Sequence, residues 1–205
     1  MLKHEAQRGA FYERFTREFS ERYSAASVDV SRGVEELLGA KDAAEQGCLR
    51  TAACLADAGF SRVLVHKVKD ALESGAVANA AIVEATKREF RGARVLQDKA
   101  VRQCAVDKEW LELAYAPVLQ SGARFDLRYG TTMCDGEVVP GAVVASFGVR
   151  YKLYCAMLAR TLYIDTPKQT KAVYLAALAA QEAAIKALRP GVTLAAVARA
   201  ARAAI

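Results

Sequence analysis

Apolar residues recur at helical spacing through the first half of the chain. From about Lys41 to Ser74 they fall three or four positions apart, with an interruption near Gly59, which predicts one long helix with a kink. Gly75 follows as a candidate C-cap. A second helix is predicted from about Val77 to Phe90, whereas the pattern over residues 93–106 is ambiguous.

Strand character is concentrated in one stretch, Gly141–Asp165. An apolar run from Ala142 to Phe147 is followed by a polar segment and by a second run from Tyr154 to Ile164. Two runs rich in β-forming residues around a short polar segment predict an antiparallel hairpin.

Weaker patterns on both sides complete the expected architecture. Trp110–Tyr115 and Phe125–Thr132 each resemble a strand, so we expect an antiparallel sheet within residues 110–165. An alanine-rich run then predicts a helix that Pro190 and Gly191 end, and Thr193 is positioned to cap one more helix.

Composition limits the class of protein. The 205 residues, of which 53% are hydrophobic and 25% charged, are ordinary for a folded globular protein. We expect no membrane span, because no run of about 18 apolar residues occurs, and no secretion signal, because no apolar region follows the first charges. The odd number of cysteines without a C-x-x-C pair favours reduced thiols in an intracellular compartment over disulfides or structural zinc. They are Cys48, Cys54, Cys104, Cys134 and Cys155.

The net charge of +6 could indicate a nucleic-acid ligand. The basic residues look spread along the chain, however, and the longest cluster is Lys87-Arg88 followed by Arg91 and Arg94. Without a recognisable nucleic-acid motif, solvated helix faces are the better interpretation, and direct DNA binding stays open.

Common catalytic motifs are absent from the sequence. It has neither a Gly-rich phosphate loop nor a Gly-x-Ser-x-Gly motif. Its two histidines, His4 and His66, lie in the predicted helical part, where we expect surface or packing roles. Cys155 has no histidine in reach, so we expect a buried structural thiol rather than a nucleophile.

Five short segments, in order, are similar to one known family. They are Tyr115–Gly122, Ser146–Cys155, Leu158–Leu162, Gln181-Glu182 and Leu188–Val192. Together they resemble the aminopeptidase P-like N-terminal domains in the large subunit of the FACT histone chaperone. The resemblance covers roughly residues 9–205 and is most specific over residues 115–165.

The resemblance implies an α/β (α+β) fold, the "pita-bread" fold of creatinase and aminopeptidase. It further implies that only the first of the fold's two repeats is present, preceded by linker helices, as in a fragment or truncated product. Residues 1–30 would then be the end of a small N-terminal lobe, and residues 31–205 the first half of the pita-bread domain. That half would contain long helices over 41–91, the sheet over 110–165 and helices over 167–205.

The resemblance also places a degenerate metal site on the hairpin. Active relatives of this fold are two-metal peptidases that take two carboxylates from such a hairpin, eleven positions apart, and a histidine from an earlier segment. The matching positions here are Ser146, Met157 and Tyr129. A turn centred near Tyr151 and Lys152 would make Ser146 and Met157 directly opposed.

Serine and methionine are poor ligands for hard divalent ions, so we expect no metal, no cofactor and no catalytic residue. The resemblance implies structural roles for the other residues of its signature. These are Gln120, Ser121, Gly122, Gly148, Tyr154, Arg160 and Thr161.

The function that the resemblance implies is histone binding without catalysis, in a FACT-type chaperone that reorganises nucleosomes during transcription and replication. The location would be the nucleus, on chromosomes, with histones as ligands and the small HMG-associated FACT subunit as a partner through the full-length protein. Because histones are basic and the chain carries +6, contact would use local acidic patches such as Glu35-Glu36 or Asp57, or would fall mainly to other parts of the subunit, such as an acidic tail. Two alternatives stay open: a metal-dependent aminopeptidase or prolidase, and a non-catalytic RNA- or ribosome-binding protein of the same fold.

Overall fold

The computed structural model describes residues 9–23, 28–122, 125–126, 128, 131 and 135–205. The chain divides into two compact units, Met1–Ala43 and Ala44–Ile205.

The first unit contains two helices. Helix α1 spans Ala10–Tyr23 and helix α2 spans Ser31–Gly39, and neither has a buried residue. Four aromatic rings on α1 follow one another in a row, because residues four apart share a helix face. The centroids of neighbouring rings are 5.4–6.3 Å apart along Phe11, Phe15, Phe19 and Tyr23.

The second unit begins with a long helix whose winding changes in the middle. Helix α3 spans Ala43–Gly59, a π-helical segment spans Phe60–Leu64, and helix α4 spans Val65–Ser74. The predicted interruption near Gly59 is therefore a π-helical segment. Its backbone hydrogen bonds join residues five apart instead of the four of an α-helix. Gly75 ends α4 with a φ of 72°, as predicted, and its N–H donates to the Ala71 carbonyl.

Shorter helices follow. Helix α5 spans Asn79–Glu89, close to the predicted bounds. The ambiguous stretch contains two single-turn helices, α6 over Ala93–Leu96 and α7 over Lys99–Arg102. A 3-10 turn over Lys108–Trp110 leads into the sheet.

The sheet has four antiparallel strands with one long strand in its middle. Strand β1 spans Leu111–Leu113, β2 spans Val118–Ser121, β3 spans Gly141–Tyr151 and β4 spans Tyr154–Ile164. Strands β1 and β2 pair with successive parts of one edge of β3, and β4 pairs with the other edge. The predicted hairpin is thus confirmed as β3 and β4.

The prediction of a strand at Phe125–Thr132 is wrong for the described residues of this stretch, because none of them lies in a strand. The reason is local. The backbone N–H and C=O of Asp126 pair with the Gln120 side chain, so they are not available to a neighbouring strand.

The core lies between the helices and one face of the sheet. From residue 143 onward, the odd-numbered residues of β3 are all at most 5% exposed, in keeping with alternation along a strand. They are Val143, Ala145, Phe147, Val149 and Tyr151. The Phe147 ring packs edge-on against Phe90 with centroids 5.2 Å apart. Gly59 lies beneath both, and a Cβ there would be 2.5 Å from Phe147 Cε1, so glycine permits this close approach.

Two helices complete the chain, α8 over Lys168–Ala187 and α9 over Leu194–Arg202. They lie against each other, and neither has a buried residue. Thr193 caps α9 as predicted, because its hydroxyl accepts a hydrogen bond from the Ala196 N–H. Among the described residues, no helix is long and apolar enough to cross a membrane.

Candidate functional site

The candidate site is the face of the sheet opposite the core, which we call the outer face. Cross-strand partners share a face, so it is built from even-numbered residues of β3 and odd-numbered residues of β4. They are Ala142, Val144, Ser146, Gly148, Arg150, Cys155, Met157, Ala159, Thr161 and Tyr163. Glu112 of β1 pairs with Arg150, and Val118 and Gln120 of β2 pair with Ser146 and Val144, so these three residues extend the outer face.

Ser146 and Met157 both lie on this face but are not directly opposed. Ser146 pairs with Ala159 and Met157 pairs with Gly148, which corrects the expected register by two residues. The cause is the turn, which is formed by Lys152 and Leu153, one position later than expected. Both turn residues have positive φ, 47° and 72°, as tight two-residue hairpin turns require. Ser146 and Met157 are therefore diagonal neighbours, about 7–8 Å apart.

The donors on the outer face do not fit a pair of hard divalent ions, which prefer carboxylate and imidazole ligands. Ser146 offers a hydroxyl and Met157 a thioether. The Glu112 carboxylate accepts a hydrogen bond of 2.6 Å from Arg150 Nε and forms an ion pair with it. In the part of the chain that the structure describes, no three His, Cys, Asp or Glu residues are grouped so as to hold a metal. Tyr129, the third matching position, lies outside the described residues.

An exposed apolar patch surrounds Gly148. A Cβ on this residue would lie 3.3 Å from Tyr115 Cδ2 and 3.5 Å from Met157 Cγ, so glycine lets both side chains lie close over the strand. Tyr115 is 65% exposed and Met157 60% exposed. A ring beside a flexible thioether is a surface that adapts to apolar side chains of a peptide or protein ligand.

Gln120 fixes the segment that follows β2. Its side chain is 2% exposed, and its amide bonds both backbone groups of Asp126: Nε2 donates to the carbonyl at 3.0 Å and Oε1 accepts from the N–H at 2.8 Å. Nε2 also donates to the Thr131 hydroxyl at 3.3 Å. Arg128 in turn hydrogen-bonds the Asp126 carboxylate and holds the pKa of that group well below its usual range.

Ser121 and Gly122 shape the exit from β2. The Ser121 hydroxyl donates to the Glu137 carbonyl and accepts from the Val139 N–H, each at 3.3 Å, so it bridges the returning chain to the end of the strand. Gly122 has a φ of 97°, a left-handed conformation that is costly for any residue with a side chain.

The remaining signature residues lie on β4. The Tyr154 hydroxyl donates to Glu45 Oε1 at 2.7 Å, which ties the start of β4 to the start of α3. Arg160 is exposed, and its guanidinium donates to the Ala159 carbonyl at 2.9 Å. Thr161 lies on the outer face opposite Val144.

Other reactive side chains are not assembled into a catalytic group. His66 is exposed on α4, and His4 lies outside the described residues. The expectation of a buried Cys155 is wrong: the thiol is exposed, because odd-numbered residues of β4 point away from the core. Burial, and then a hydrogen bond with the Cys104 thiol, raises the pKa of Cys54, which is the opposite of what a thiolate nucleophile needs.

Comparison with known proteins agrees with this architecture. The model of metallopeptidase family M24 matches residues 47–205. FACT complex subunit SPT16 of Oryza sativa subsp. japonica is 31% identical over 191 residues, which are 89% of this chain and 17% of that protein. The resemblance stated from the sequence is therefore confirmed.

Solved structures give the same result. The N-terminal domain of FACT complex subunit SPT16 from Eremothecium gossypii superposes with a TM-score of 0.84 at 27% identity, over 98% of this chain and 48% of that domain. X-Pro aminopeptidase from Thermotoga maritima superposes with a TM-score of 0.60 at 20% identity, over 98% of this chain and 58% of the enzyme. The mixed helix and sheet fold of the pita-bread type is thus confirmed.

Proposed function

We propose that this chain, which belongs to the metallopeptidase family M24, is a non-catalytic protein-binding module of a FACT-type histone chaperone. The observation on which this rests is the likeness to the SPT16 N-terminal domain over 98% of the chain. Its ligands would be histones, and it would act in nucleosome reorganisation during transcription and replication, in the nucleus. Through the full-length protein it would work beside the small HMG-associated FACT subunit.

The absence of catalysis is part of the proposal. A two-metal peptidase needs hard ligands that activate water and polarise the scissile carbonyl. Ser146 and Met157 stand where the resemblance places the two carboxylates of the hairpin, and neither side chain carries a negative charge. Among the described residues of the outer face, the carboxylate near them is that of Glu112, and it is paired with Arg150. We infer that the scaffold of a peptidase site is kept while its ligands are replaced.

The outer face is the surface that we assign to the histone. Tyr115 and Met157 provide exposed apolar contact area, and such anchors contribute most of the energy of protein interfaces. Of the expected acidic residues, Glu36 is ion-paired with Arg32 at 3.1 Å, whereas Glu35 and Asp57 are exposed. Glu35 on α2 and Asp57 on α3 are not residues of the outer face, so an attraction of a basic ligand by them would be a contact apart from it.

Binding of purified core histones to the full chain tests the proposal. The Met157→Arg variant should weaken the affinity by about tenfold, because it removes an apolar anchor and adds a charge that repels histones. Leu175→Arg, which makes the same change at a 51% exposed site on α8, is the control and should change the affinity by less than about twofold. Fluorescence anisotropy with labelled histones measures both. Absence of histone binding by the unmodified chain would overturn the proposal.

A peptidase assay tests the proposed absence of catalysis. Purified chain incubated with Mn²⁺, Co²⁺ or Zn²⁺ and an Xaa-Pro dipeptide should release no proline above the buffer rate, with an active prolidase as the positive control. Turnover that rises with stoichiometric metal would show that the ligand replacement has not abolished catalysis, and the enzyme alternative would then stand.

A further inference from the structure

Two cysteines that are far apart in the sequence meet in the fold. Cys54 lies on α3, and Cys104 lies 50 positions later, just after the end of α7. Their side chains form a thiol–thiol hydrogen bond. Both residues are half-buried, and neither belongs to the outer face. Two thiols are therefore in direct contact among the helices that precede the sheet, away from the candidate site.

Packing within the chain holds both thiols in place. Cys54 packs against the buried core. The Cys104 N–H donates to the Val101 carbonyl at 2.9 Å, and the Cys104 thiol donates to the Ala100 carbonyl at 3.3 Å. Val101 is 1% exposed, so it anchors α7 to the same core. The contact between the two sulfur atoms thus rests on internal packing and not on an uncovered surface.

A second contact fixes the other end of α7. Arg62, in the π-helical segment that continues α3, donates to the carboxylate of Asp98 at 3.0 Å. Asp98 is the N-cap of α7, whereas Cys104 follows the last turn of that helix. Helix α7 is therefore joined to the long helix on both sides, by Arg62 with Asp98 and by Cys54 with Cys104. This arrangement keeps the two sulfur atoms from separating.

Such a pair meets the geometric requirement of a disulfide. The S–S bond is about 2.05 Å long, and cysteines whose side chains point apart cannot be bridged without movement of the backbone. Thiols that already share a hydrogen bond need only a short further approach, which side-chain rotation supplies.

The surroundings of Cys54 determine the order in which the two thiols react. Burial, then the hydrogen bond with Cys104 and the negative charges of Asp57 and Asp98, raise the pKa of Cys54. A thiol with a raised pKa carries little thiolate at neutral pH and reacts slowly with an oxidant. Cys104 is therefore the first target. The carboxylates also repel glutathione, which is anionic, and so disfavour a mixed disulfide at Cys54.

We propose that Cys54 and Cys104 are a redox-sensitive pair that closes to a reversible disulfide when the chain meets a peroxide. In the first step the peroxide O–O bond breaks and an S–O bond forms at Cys104, so that the sulfur is oxidised to a sulfenic acid and one water leaves. In the second step the Cys54 sulfur attacks the Cys104 sulfur. The S–S bond forms, the S–O bond breaks, and the thiol proton leaves with the hydroxide as a second water.

The disulfide would lock α7 to α3 and close a loop that includes the π-helical segment, α4 and α5. Disulfides of this kind in reducing compartments are transient and redox-sensing. Neither thiol lies on the outer face, so the inference does not depend on the proposed function.

Peptide mapping of the full chain tests the pairing. The chain is treated with hydrogen peroxide, its remaining thiols are blocked with N-ethylmaleimide, and it is digested with trypsin. Cys54 and Cys104 are the single cysteines of the tryptic peptides 51–62 and 103–108. Mass spectrometry should find these two peptides joined, at their summed mass less two hydrogen atoms. The joined pair should be about tenfold more abundant than any other pair of cysteine peptides, because contact raises the effective concentration of the two thiols. Dithiothreitol should separate it.

Variants locate the effect. Cys104→Ser should abolish the joined peptides, and so should Cys54→Ser, which reaches the same result from the other partner. Cys48→Ser, at another half-buried thiol of α3, is the matched control and should leave the yield within about twofold. Circular dichroism confirms that each variant keeps its helices.

Urea unfolding measures the consequence of the bond. Peroxide should raise the urea midpoint of the unmodified chain by about 1 M, because a link across 50 positions restricts the unfolded chain. The midpoint of Cys104→Ser should not respond to peroxide.

Three results would overturn the inference. They are peroxide treatment that leaves Cys54 and Cys104 unlinked, linkage of either one mainly to another cysteine, and an equal midpoint shift in Cys104→Ser. The histone and peptidase assays described above can fail or succeed without changing any of these outcomes.

Discussion

The helix-facing side of the sheet and the α8–α9 pair are both rich in apolar residues, yet they use them differently. On the helix-facing side, Phe147 is 1% exposed and is enclosed by Phe90 and Gly59. On α8, Val173 and Ile185 are 72% and 62% exposed. The first arrangement removes apolar surface from water within the chain, whereas the second leaves it exposed in the described residues.

The difference predicts which substitutions change the stability of the chain. Substitutions on the helix-facing side should change the free energy of unfolding, because enclosed atoms leave cavities or clashes when altered. Substitutions on α8 should hardly change it, because their surroundings are water in the folded and unfolded states alike. Four changes test how sharply this division holds.

The largest effect is expected for Phe147→Ala. Loss of a fully enclosed ring should lower the free energy of unfolding by about 3–5 kcal/mol. Leu175→Ala on α8 is the comparison and should change it by less than about 0.5 kcal/mol. Urea unfolding followed by circular dichroism measures both. Similar losses in the two variants would show that α8 belongs to the same packed core.

A smaller loss is expected for Gly59→Ala, about 1–3 kcal/mol, because the added methyl would overlap the Phe147 ring. Gly47→Ala is the matched control in the same helix. No atom lies within 4 Å of a Cβ there, so it should gain about 0.5–1 kcal/mol from helix propensity. In a Phe147→Leu background, Gly59→Ala should lower the free energy of unfolding by less, because the ring that the methyl overlaps is gone. An unchanged cost would place the strain somewhere other than at the ring.

Tyr154→Phe should lower the free energy of unfolding by about 1 kcal/mol, since it removes the hydrogen bond that joins β4 to Glu45 of α3. Tyr115→Phe, at an exposed ring, serves as the reference and should be neutral. Urea midpoints compare the two. Neutrality of both changes would mean that water replaces the lost bond and that β4 is held by its strand pairing alone.

The smallest effect concerns Asp98, which joins α7 to the π-helical segment. Arg62 Nε donates to Asp98 Oδ2 at 3.0 Å, and this bond, with a second one from the Ala100 N–H, holds the pKa of Asp98 below its ordinary value of 3.8. A carboxylate with a depressed folded-state pKa stabilises the fold above pH 3.8, and this contribution is lost as pH falls through the lower folded value.

Asp98→Asn should therefore cost up to about 1 kcal/mol at neutral pH, a modest value because Arg62 is more than half exposed. The gap between the variant and the unmodified chain should close as the pH is lowered below 3.8. Urea unfolding across this pH range measures the gap, with Asp70→Asn as the reference. A gap that is independent of pH would contradict a role for the ionised carboxylate.

Much of the fold follows from the sequence because its strongest signals are local. Helical spacing identified the long helix and its interruption at Gly59, and the two apolar runs identified β3 and β4. Predictions failed where a side chain acts in place of the backbone. The amide of Gln120 occupies the backbone groups of Asp126, and nothing in the alternation around residue 126 indicates this.

That Ser146 and Met157 share one face of the hairpin was predictable, but their register was not. The resemblance brought Ser146 and Met157 to one face, yet their register depends on where the turn lies, and Lys152 and Leu153 are not typical turn residues. Residues 166–205 contain six basic residues and one acidic residue, which a count by segment of the sequence gives, whereas their exposure needed the structure.

The turn at Lys152-Leu153 also determines how the hairpin tolerates insertions. Neither residue is glycine, so their positive φ angles are imposed by the strands on both sides rather than chosen by the turn itself. One extra residue between Tyr151 and Tyr154 would lengthen the loop and leave the pairing intact. One extra residue inside β3 would instead exchange the faces of the residues on one side of the insertion, for example placing Phe147 in water and Ser146 in the core. Length variation in related chains is therefore expected at the tip of this hairpin and not along its strands.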